Sequence, residues 1–376
     1  MKQKRLLLIA SYNRSILLFR KDLLLEFRKE GYEVLAVAHN DSPEVGPALE
    51  ALGIRYQSVP LSRTGFNPFR DLGFFIRLTQ IIKAYKPTHV LAYTIKPVIY
   101  GGMASRFFNT KMYALITGLG YLETETGGAF KKVIRMFILK LYRIGLRKSA
   151  GVMFQNNDDR TYFLTEKLIG NTTPTEVVNG SGVNLSQFEV TPAVKNPVRF
   201  ILIARLIHAK GVGLYLKAAQ EIKRISPETE FHLIGQIDEH NPDSISTGEL
   251  KSAIDSGIII FHGFQNDVRP FLRMASVFVL PSWYREGVPR TILEALAMGK
   301  PVITTDNTGC RETVQPGVNG FLIAKKQLEP LVNAMKALLE DPEKIEMMGK
   351  ASVRLAKEKF DVSAVNNAML KFMNIR

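Results

Sequence analysis

Short apolar runs alternate with longer amphipathic stretches along most of this chain. The first apolar run covers residues 6–11, an amphipathic stretch covers 16–29, and a second apolar run covers 33–40. Apolar runs of about four to eight residues predict buried strands, and apolar residues at intervals of three and four predict helices. Strands that alternate with helices are typical of a parallel sheet covered on both faces. The pattern therefore predicts an α/β fold.

The alternation occurs twice, and an irregular segment with two prolines separates the copies. A chain of 376 residues also exceeds the size at which a single core stops growing. We therefore predict two Rossmann-like domains, each a doubly wound parallel sheet. The predicted bounds are 1–190 for the N-terminal domain, 191–197 for the linker, 198–360 for the C-terminal domain and 361–376 for a last helix.

A glycine-bearing loop between a strand and a helix is the first candidate site. Residues 277–280 read as a strand, Glu286 to Arg290 form the loop, and a helical pattern then runs to Gly299. The first amides of a helix are unpaired and its N-terminus is positively polarised, so an anion can bind against residues 287–291. Glu286 lies at the loop mouth and Glu294 lies two turns into the helix. Spacing alone more often indicates solvated charges on a helix face.

Two positive charges follow another predicted strand, residues 201–204. Arg205 comes directly after this strand, and Lys210 comes five residues later at the start of an amphipathic stretch. Fixed cations at a strand end favour a ligand that carries or develops negative charge.

The four charged residues, followed by Gly-Lys-Pro-Val-Ile at 299–303, resemble the donor half of the retaining glycosyltransferases of family 4. The resemblance covers the whole chain and implies the GT-B fold, in which two Rossmann-like domains face a cleft and the last helix crosses back to the first domain. It implies catalytic roles for Glu286, Arg205 and Lys210. Glu286 would contact the donor sugar, and the two cations would stabilise the leaving diphosphate.

The resemblance also implies which residues bind the nucleotide sugar. Glu294 would bind the ribose hydroxyls, and Gly235, Gly263 and Phe264 would border the base. The loop residues Gly287, Val288, Pro289, Arg290 and Thr291 would complete the donor site.

Polar, glycine-bearing loops follow the predicted strands of the N-terminal domain, where ligands of such sheets bind. Residues 62–68, 94–102 and 117–121 are similar to the subgroup of family 4 that adds N-acetylhexosamines to undecaprenyl-diphosphate-linked sugars. Many family members place a histidine in the loop after the fourth or fifth strand, where this chain has Ile95 and Thr117. Backbone groups, Lys96 or the substrate must replace it. The acceptor-binding candidates are Arg14, Arg63, Thr64, Lys96, Thr117, Gly118 and Gly120.

The net charge of +15 is concentrated in the N-terminal half. Residues 1–190 hold 26 of the 50 lysines and arginines but only 15 of the 35 acidic residues. Such a field attracts lipid headgroups, polyprenyl diphosphates or nucleic acid. No nucleic-acid-binding motif is found, so we predict no nucleic-acid partner. Residues 129–148 form a basic, amphipathic pattern without acidic residues, which fits either a helix at an anionic membrane surface or a core helix with a solvated basic face. A lipid-linked acceptor favours the membrane.

The cofactor requirement and the cellular compartment are predicted from three features: the metal-binding motif that is missing, the cysteine count and the length of the apolar stretches. No D-x-D motif is present to hold a divalent metal on the diphosphate, so we predict no metal and no cofactor, with a UDP-sugar as co-substrate. Cys310 is the sole cysteine, which suits a reducing cytoplasm. No apolar stretch reaches the roughly 18 residues of a membrane-spanning helix. We predict a cytoplasmic enzyme, peripheral to the inner face of the cytoplasmic membrane.

The resemblance thus implies a retaining, metal-independent glycosyltransferase that moves N-acetylhexosamine from a UDP-sugar to an undecaprenyl-diphosphate-linked saccharide. Its products would enter O-antigen, capsule or other bacterial surface glycans. Two alternatives remain. One is a sugar-nucleotide epimerase on the same fold, and the other is a basic nucleotide- or nucleic-acid-binding protein without catalysis. The set of Arg205, Lys210, Glu286 and Glu294 favours the transferase.

Overall fold

The computed structural model describes residues 3–61, 67–120, 129–238, 241 and 243–376, without the side chains of 129–131. The chain divides into two compact units. The first contains Met1–Ser181 and Ser363–Arg376, and the second contains Gly182–Val362.

The first unit is built on a parallel sheet. Its strands are β1 (Arg5–Tyr12), β2 (Glu33–His39), β3 (Arg55–Ser58), β4 (His89–Tyr93), β5 (Lys111–Ile116), β6 (Gly151–Phe154) and β7 (Thr175–Val177). The helices are α1 (Arg14–Phe19), α2 (Lys21–Lys29), α3 (Val45–Ala51), α4 (Pro68–Tyr85), α5 (Ile95–Ser105), α6 (Ala129–Leu146) and α7 (Asn157–Thr165). The strand order is β3-β2-β1-β4-β5-β6-β7.

The second unit repeats this design with a six-stranded parallel sheet. Its strands are β8 (Arg199–Ile203), β9 (Glu230–Ile234), β10 (Ile260–Phe261), β11 (Val277–Leu280), β12 (Val302–Thr305) and β13 (Gly320–Ile323). The helices are α8 (Val212–Ile225), α9 (Thr247–Asp255), α10 (Arg269–Met274), α11 (Arg290–Ala297), α12 (Leu328–Glu340) and α13 (Glu343–Lys359), and α14 (Val362–Phe372) follows. The strand order is β10-β9-β8-β11-β12-β13.

Both faces of the first sheet are covered by apolar side chains. Leu7 of β1 belongs to one core cluster, together with Phe74 of α4. Leu8, the next residue, belongs to the other, together with Phe27 of α2 and Met369 of α14. Successive side chains of a strand point to opposite faces, so a strand covered on both sides must be apolar throughout. This explains why the strands read as continuous apolar runs.

The strand order fixes where ligand-binding loops come together. The first strand of each sheet is central, and later strands are added first on one side of it and then on the other. As a result, β1 lies between β2 and β4, and β8 lies between β9 and β11. In doubly wound sheets, ligands bind outside the carboxyl ends of the strands at these positions. In the second unit, β8 leads to Arg205 and β11 leads to Glu286, so the order brings both loops to one crevice.

The observed elements confirm the predicted α/β class but differ from the pattern in detail. The predicted helix at 16–29 is two helices, because Arg20 adopts φ −130° and ψ −3° between α1 and α2. The buried Arg20 guanidinium lies over the Tyr93 ring, 5.3 Å from its centroid. A contact between residues so far apart in the chain leaves no trace in local periodicity.

Candidate active site

Lys210 and Glu286 form an ion pair beyond the carboxyl ends of β8 and β11. Lys210 ends a short 3-10 turn, and Gly211 follows with φ +80°. A side-chain carbon on Gly211 would lie 2.2 Å from the carbonyl oxygen of Pro281, so only glycine lets the two loops approach. The Lys210 and Glu286 side chains are 10% and 19% exposed. The pair is thus enclosed by protein yet reachable by a ligand.

Arg205 provides the second cation of this site. Its guanidinium lies 3.7 Å from a carboxylate oxygen of Asp238 and 5.4 Å from the ring centroid of Tyr284. The ammonium of Lys210 lies 5.6 Å from the centroid of the same ring. With 39% of its side chain exposed, Arg205 is the more accessible of the two cations.

Glu294 is paired with Arg290 within α11. The Arg290 Nε donates to Glu294 Oε1 at 2.9 Å, and another guanidinium nitrogen donates to the carbonyl of Gly182 at 2.9 Å. Burial raises the pKa of Glu294, and the charge of Arg290 opposes this effect. A half-buried carboxylate of this kind is a strong acceptor for hydroxyl groups of a ligand.

The loop before α11 is packed against a second loop that follows β12. Gly309 has φ +79°, and a side-chain carbon there would lie 1.8 Å from the carbonyl oxygen of Gly287. Val288 is buried, and Pro289 precedes the first residue of α11 with an extended backbone. Thr291 is half-buried in the first turn. The conformation of the predicted anion-binding loop is therefore fixed by close packing against Gly309, a residue that sequence analysis did not single out.

Gly235 and Gly263 are brought together at the ends of β9 and β10. The amide of Gly235 donates to the carbonyl of Gly263 at 2.9 Å. A side-chain carbon on Gly235 would lie 1.9 Å from the carbonyl oxygen of Ala204, the residue before Arg205. Phe264 follows with 46% of its surface exposed. An exposed aromatic ring thus follows the residue that contacts the end of β9, the strand next to β8.

Sequence reasoning missed three side chains that shape this site. Tyr284 contacts both cations, and the side-chain amide of Asn307 donates to the Tyr284 carbonyl at 2.9 Å. Asp243 accepts from the amide of Ala209 at 2.8 Å and so fixes the turn that carries Lys210. The sequence could have indicated Asn307, because residues 306–309 form a polar, glycine-bearing loop after an apolar strand, β12.

The acceptor-binding candidates of the first unit are spread over several loops. Arg63 and Thr64 lie outside the described residues. Arg14 begins α1 and is half-buried, while Thr117 directly follows β5. Gly118 and Gly120 have φ +109° and +48°, which favour glycine. The end of β1 meets the residue that follows β4, because the hydroxyl oxygens of Ser11 and Thr94 lie 2.5 Å apart.

Lys96 has a less accessible position than its loop predicts. Its ammonium lies 2.8 Å from a carboxylate oxygen of Asp71, and the two side chains are only 8% and 4% exposed. This pair joins the first turn of α5 to the first turn of α4. The structure therefore gives Lys96 a partner within the fold, and its contact with an acceptor stays a prediction.

The remaining chemistry of the described residues is limited. They contain no group of three or more His, Cys, Asp and Glu side chains that could hold a metal ion. Cys310 is buried, and burial raises the pKa of its thiol to about 12. Within the same part of the chain, no helix combines the length and apolar character needed to cross a membrane.

Two family models match the chain, one in each unit. Residues 5–156 match the model described as glycosyl transferase 4-like, and residues 197–341 match glycosyl transferases group 1. The chain belongs to the glycosyltransferases. The family predicted from Arg205, Lys210, Glu286 and Glu294 is thereby confirmed.

Curated relatives of this glycosyltransferase cover most of its length. It is 27% identical over 343 residues to the N,N'-diacetylbacillosaminyl-diphospho-undecaprenol alpha-1,3-N-acetylgalactosaminyltransferase of Campylobacter jejuni. The aligned region covers 87% of each chain. It is 24% identical over 325 residues to the UDP-Gal:alpha-D-GlcNAc-diphosphoundecaprenol alpha-1,3-galactosyltransferase of Escherichia coli, over 79% of both chains.

Solved structures share the fold of this glycosyltransferase. HepE of Anabaena, crystallised in complex with UDP, superposes with a TM-score of 0.79 at 19% identity and covers 98% of this chain and 99% of that one. Sucrose-phosphate synthase of Thermosynechococcus elongatus gives a TM-score of 0.81 at 17% identity, covering 99% and 98%. The predicted GT-B fold is confirmed by these likenesses.

Proposed function

We propose that this glycosyltransferase transfers an N-acetylhexosamine from a UDP-sugar to an undecaprenyl-diphosphate-linked saccharide, with retention of configuration, in bacterial surface glycan assembly. The observation that carries the proposal is the convergence of Arg205 and the Lys210–Glu286 pair at the adjacent ends of β8 and β11. Relatives named for undecaprenol-linked acceptors support the substrate class.

The two cations suit the charge that develops when the donor bond breaks. As the bond between sugar C1 and the diphosphate oxygen opens, its electron pair remains on UDP. Preorganised positive charge stabilises such a leaving group without a cost of reorganisation at the moment of reaction. Arg205 and Lys210 supply that charge, assisted by the positively polarised N-terminus of α11, which begins at Arg290. We expect no requirement for a metal ion.

The carboxylates and the glycines suit the remaining parts of the donor. Glu286, held at the loop mouth by Lys210, would accept from the 3- and 4-hydroxyls of the sugar, while Glu294 would accept from the ribose. The Gly235–Gly263 contact leaves room for the base, and the exposed ring of Phe264 offers a stacking surface.

The acceptor hydroxyl would attack C1 from the face that the diphosphate leaves. The new bond forms between C1 and the acceptor oxygen, and the hydroxyl proton passes to an oxygen of the departing UDP. This route needs no protein nucleophile. We assign acceptor binding to the first unit, where Arg14, Thr117 and the two glycines after it follow β1 and β5.

We further propose that the first unit contacts the membrane that holds the acceptor. Helix α6 exposes Val133, Met136 and Phe137 next to the exposed Lys132 and Lys140. Helix α5 contacts both α6 and α4. On α4, Phe69, Leu72 and Ile76 are 87%, 55% and 47% exposed. Apolar side chains interspersed with cations suit insertion into an anionic interface.

A transfer assay tests the catalytic proposal. Purified protein is incubated in chelator with a panel of UDP- and GDP-sugars, with or without a polyprenyl-diphosphate-linked saccharide, and both UDP release and product are measured. We expect release that depends on the acceptor and disappears in Lys210→Ala and Glu294→Ala. Lys350→Ala, which removes an exposed lysine paired with Glu346, is the matched control. Epimerised donor without acceptor-dependent release would instead establish the isomerase.

Sedimentation with vesicles tests the membrane proposal. Binding to vesicles with anionic lipid, but not to neutral ones, should weaken in Met136→Glu and Phe137→Glu. Equal binding of the variants and the parent protein would contradict a role for α6.

A further inference from the structure

Tyr284 is the point where the two cations of the site meet. Arg205 and Lys210 both place their charged groups over its ring, at 5.4 Å and 5.6 Å from the centroid. The face of an aromatic ring is negatively polarised and attracts cations at this range. No other described residue contacts both cations in this way. We propose that Tyr284 is a positioning residue, which orients Arg205 and Lys210 toward the diphosphate of the donor.

The backbone of Tyr284 is fixed from two sides. Its amide donates to the carbonyl of Ala209 at 3.0 Å, and its carbonyl accepts from the side chain of Asn307 at 2.9 Å. Ala209 immediately precedes Lys210, so the ring and the ammonium are attached to one hydrogen-bonded unit. A ring anchored in this way can hold a mobile side chain in place.

The two cations depend on the ring to different degrees. Lys210 also has the close ion pair with Glu286, in which both side chains are largely buried. Among the described residues, the ion pair of Arg205 is the longer contact with Asp238 at 3.7 Å, and its side chain is 39% exposed. Exposed ion pairs at such distances contribute little. Arg205 should therefore lose its orientation when the ring is removed, whereas Lys210 should largely keep its own.

This inference rests on the proposed function, since it concerns cations that would bind a diphosphate. The variants are Tyr284→Phe, which keeps the ring, and Tyr284→Leu, which keeps apolar bulk without a ring. We expect Tyr284→Phe to stay within about threefold of the parent, and Tyr284→Leu to lose about tenfold in kcat with a smaller change in donor KM. Thermal unfolding of both variants controls for damage to the fold.

A double-mutant cycle distinguishes positioning from a purely structural effect. In an Arg205→Ala background, Tyr284→Leu should cost clearly less than it costs in the parent protein, because the side chain that it orients is gone. Independent, multiplicative losses would overturn the proposal, and so would equal activity of Tyr284→Leu and Tyr284→Phe.

Calorimetric binding of UDP separates failure of this inference from failure of the proposed function. A parent protein that binds UDP and transfers sugar, with a Tyr284→Leu variant of unchanged kcat, would overturn the inference alone. A parent protein that neither binds UDP nor transfers sugar would remove the proposed function and this inference together.

Discussion

In the second unit, charged side chains from the loops after β8 and β11 meet one another, whereas in the first unit the described residues directly after β5 present a hydroxyl and backbone groups. Lys210 and Glu286 pair although they lie 76 positions apart in the chain. After β5 of the first unit come Thr117 and two glycines with positive φ. One fold thus offers a highly charged strand edge in the second unit and a neutral one, in the loop after β5, in the first.

This difference corresponds to the parts of the proposed reaction. A leaving diphosphate develops charge at a fixed place, and fixed charges are the efficient way to stabilise it. A saccharide acceptor is neutral at its reacting hydroxyl and is bound by hydrogen bonds and close backbone approach. In the first unit, the lysine nearest such a loop, Lys96, is instead paired with Asp71. The predictions below test whether the two strand edges differ in function as they differ in charge.

The largest effect is expected from Lys210. Lys210→Ala removes a cation from the proposed diphosphate site and leaves Glu286 without its partner, so kcat should fall by about 10²–10³-fold. Steady-state transfer kinetics measure the loss, and Lys350→Ala should retain full activity because its lysine lies on the exposed face of α13. A Lys210→Ala enzyme within threefold of the parent would contradict the role of the charged edge.

The buried pair of the first unit should matter for stability instead. Lys96→Met leaves the Asp71 carboxylate buried without its cation, which costs about 3–5 kcal/mol. Urea denaturation measures this loss. The double variant Lys96→Met/Asp71→Leu should recover much of the stability, because apolar residues can replace a buried pair. Lys210→Met, at the more accessible pair of the second unit, should cost less stability. An equal loss in the free energy of unfolding would contradict the proposed difference between the two ion pairs.

Local pattern accounts for the elements of this fold but not for their order. Each core strand is buried on both faces, so residues 6–10 form an uninterrupted apolar run that a single sequence reveals. The position of β8 between β9 and β11 depends on packing across the whole unit. The break at Arg20 has the same origin, since its guanidinium contacts a tyrosine of β4.

The candidate site was predictable where charge stands out from its surroundings. Arg205 lies directly beyond an apolar run, and Glu286 lies in the glycine-bearing loop that follows another, so both residues draw attention without a structure. Tyr284 does not, because an aromatic residue near a strand end reads equally well as core. The low accessibility of Lys96 is not visible in the sequence for a related reason. Its partner Asp71 lies in another helix 25 positions away, and no spacing rule connects the two.

Substitution of Lys300 tests whether every buried cation of the second unit contributes to the charged site formed by Arg205, Lys210 and Glu286. Its side chain is 1% exposed, its ammonium has no hydrogen-bond partner among the described residues, and burial lowers its pKa to about 8. The unfolded chain keeps this proton up to about pH 10.4, so stability should rise with pH between these values. At pH 7, Lys300→Met should raise stability by about 2 kcal/mol.

Denaturation at pH 7 and pH 9.5 measures this effect. The gain from Lys300→Met should shrink at the higher pH, where the folded parent has already lost the proton. Lys350→Met, at an exposed lysine, should change little at either pH. A Lys300→Met variant that is destabilised equally at both values would show that this amine has a partner and would place it with the functional cations.

The smallest effect is expected at the neutral edge of the first unit. Thr117→Val removes one half-buried hydroxyl directly after β5 and keeps the shape of the side chain. Loss of one neutral hydrogen bond costs about 1 kcal/mol, so the KM for the saccharide acceptor should rise about fivefold. The affinity for UDP should stay the same, as calorimetry would show. Thr79→Val is the matched control, because the Thr79 hydroxyl donates to the Phe75 carbonyl within α4. A change in UDP affinity without a change in acceptor KM would reverse the assignment of the two edges.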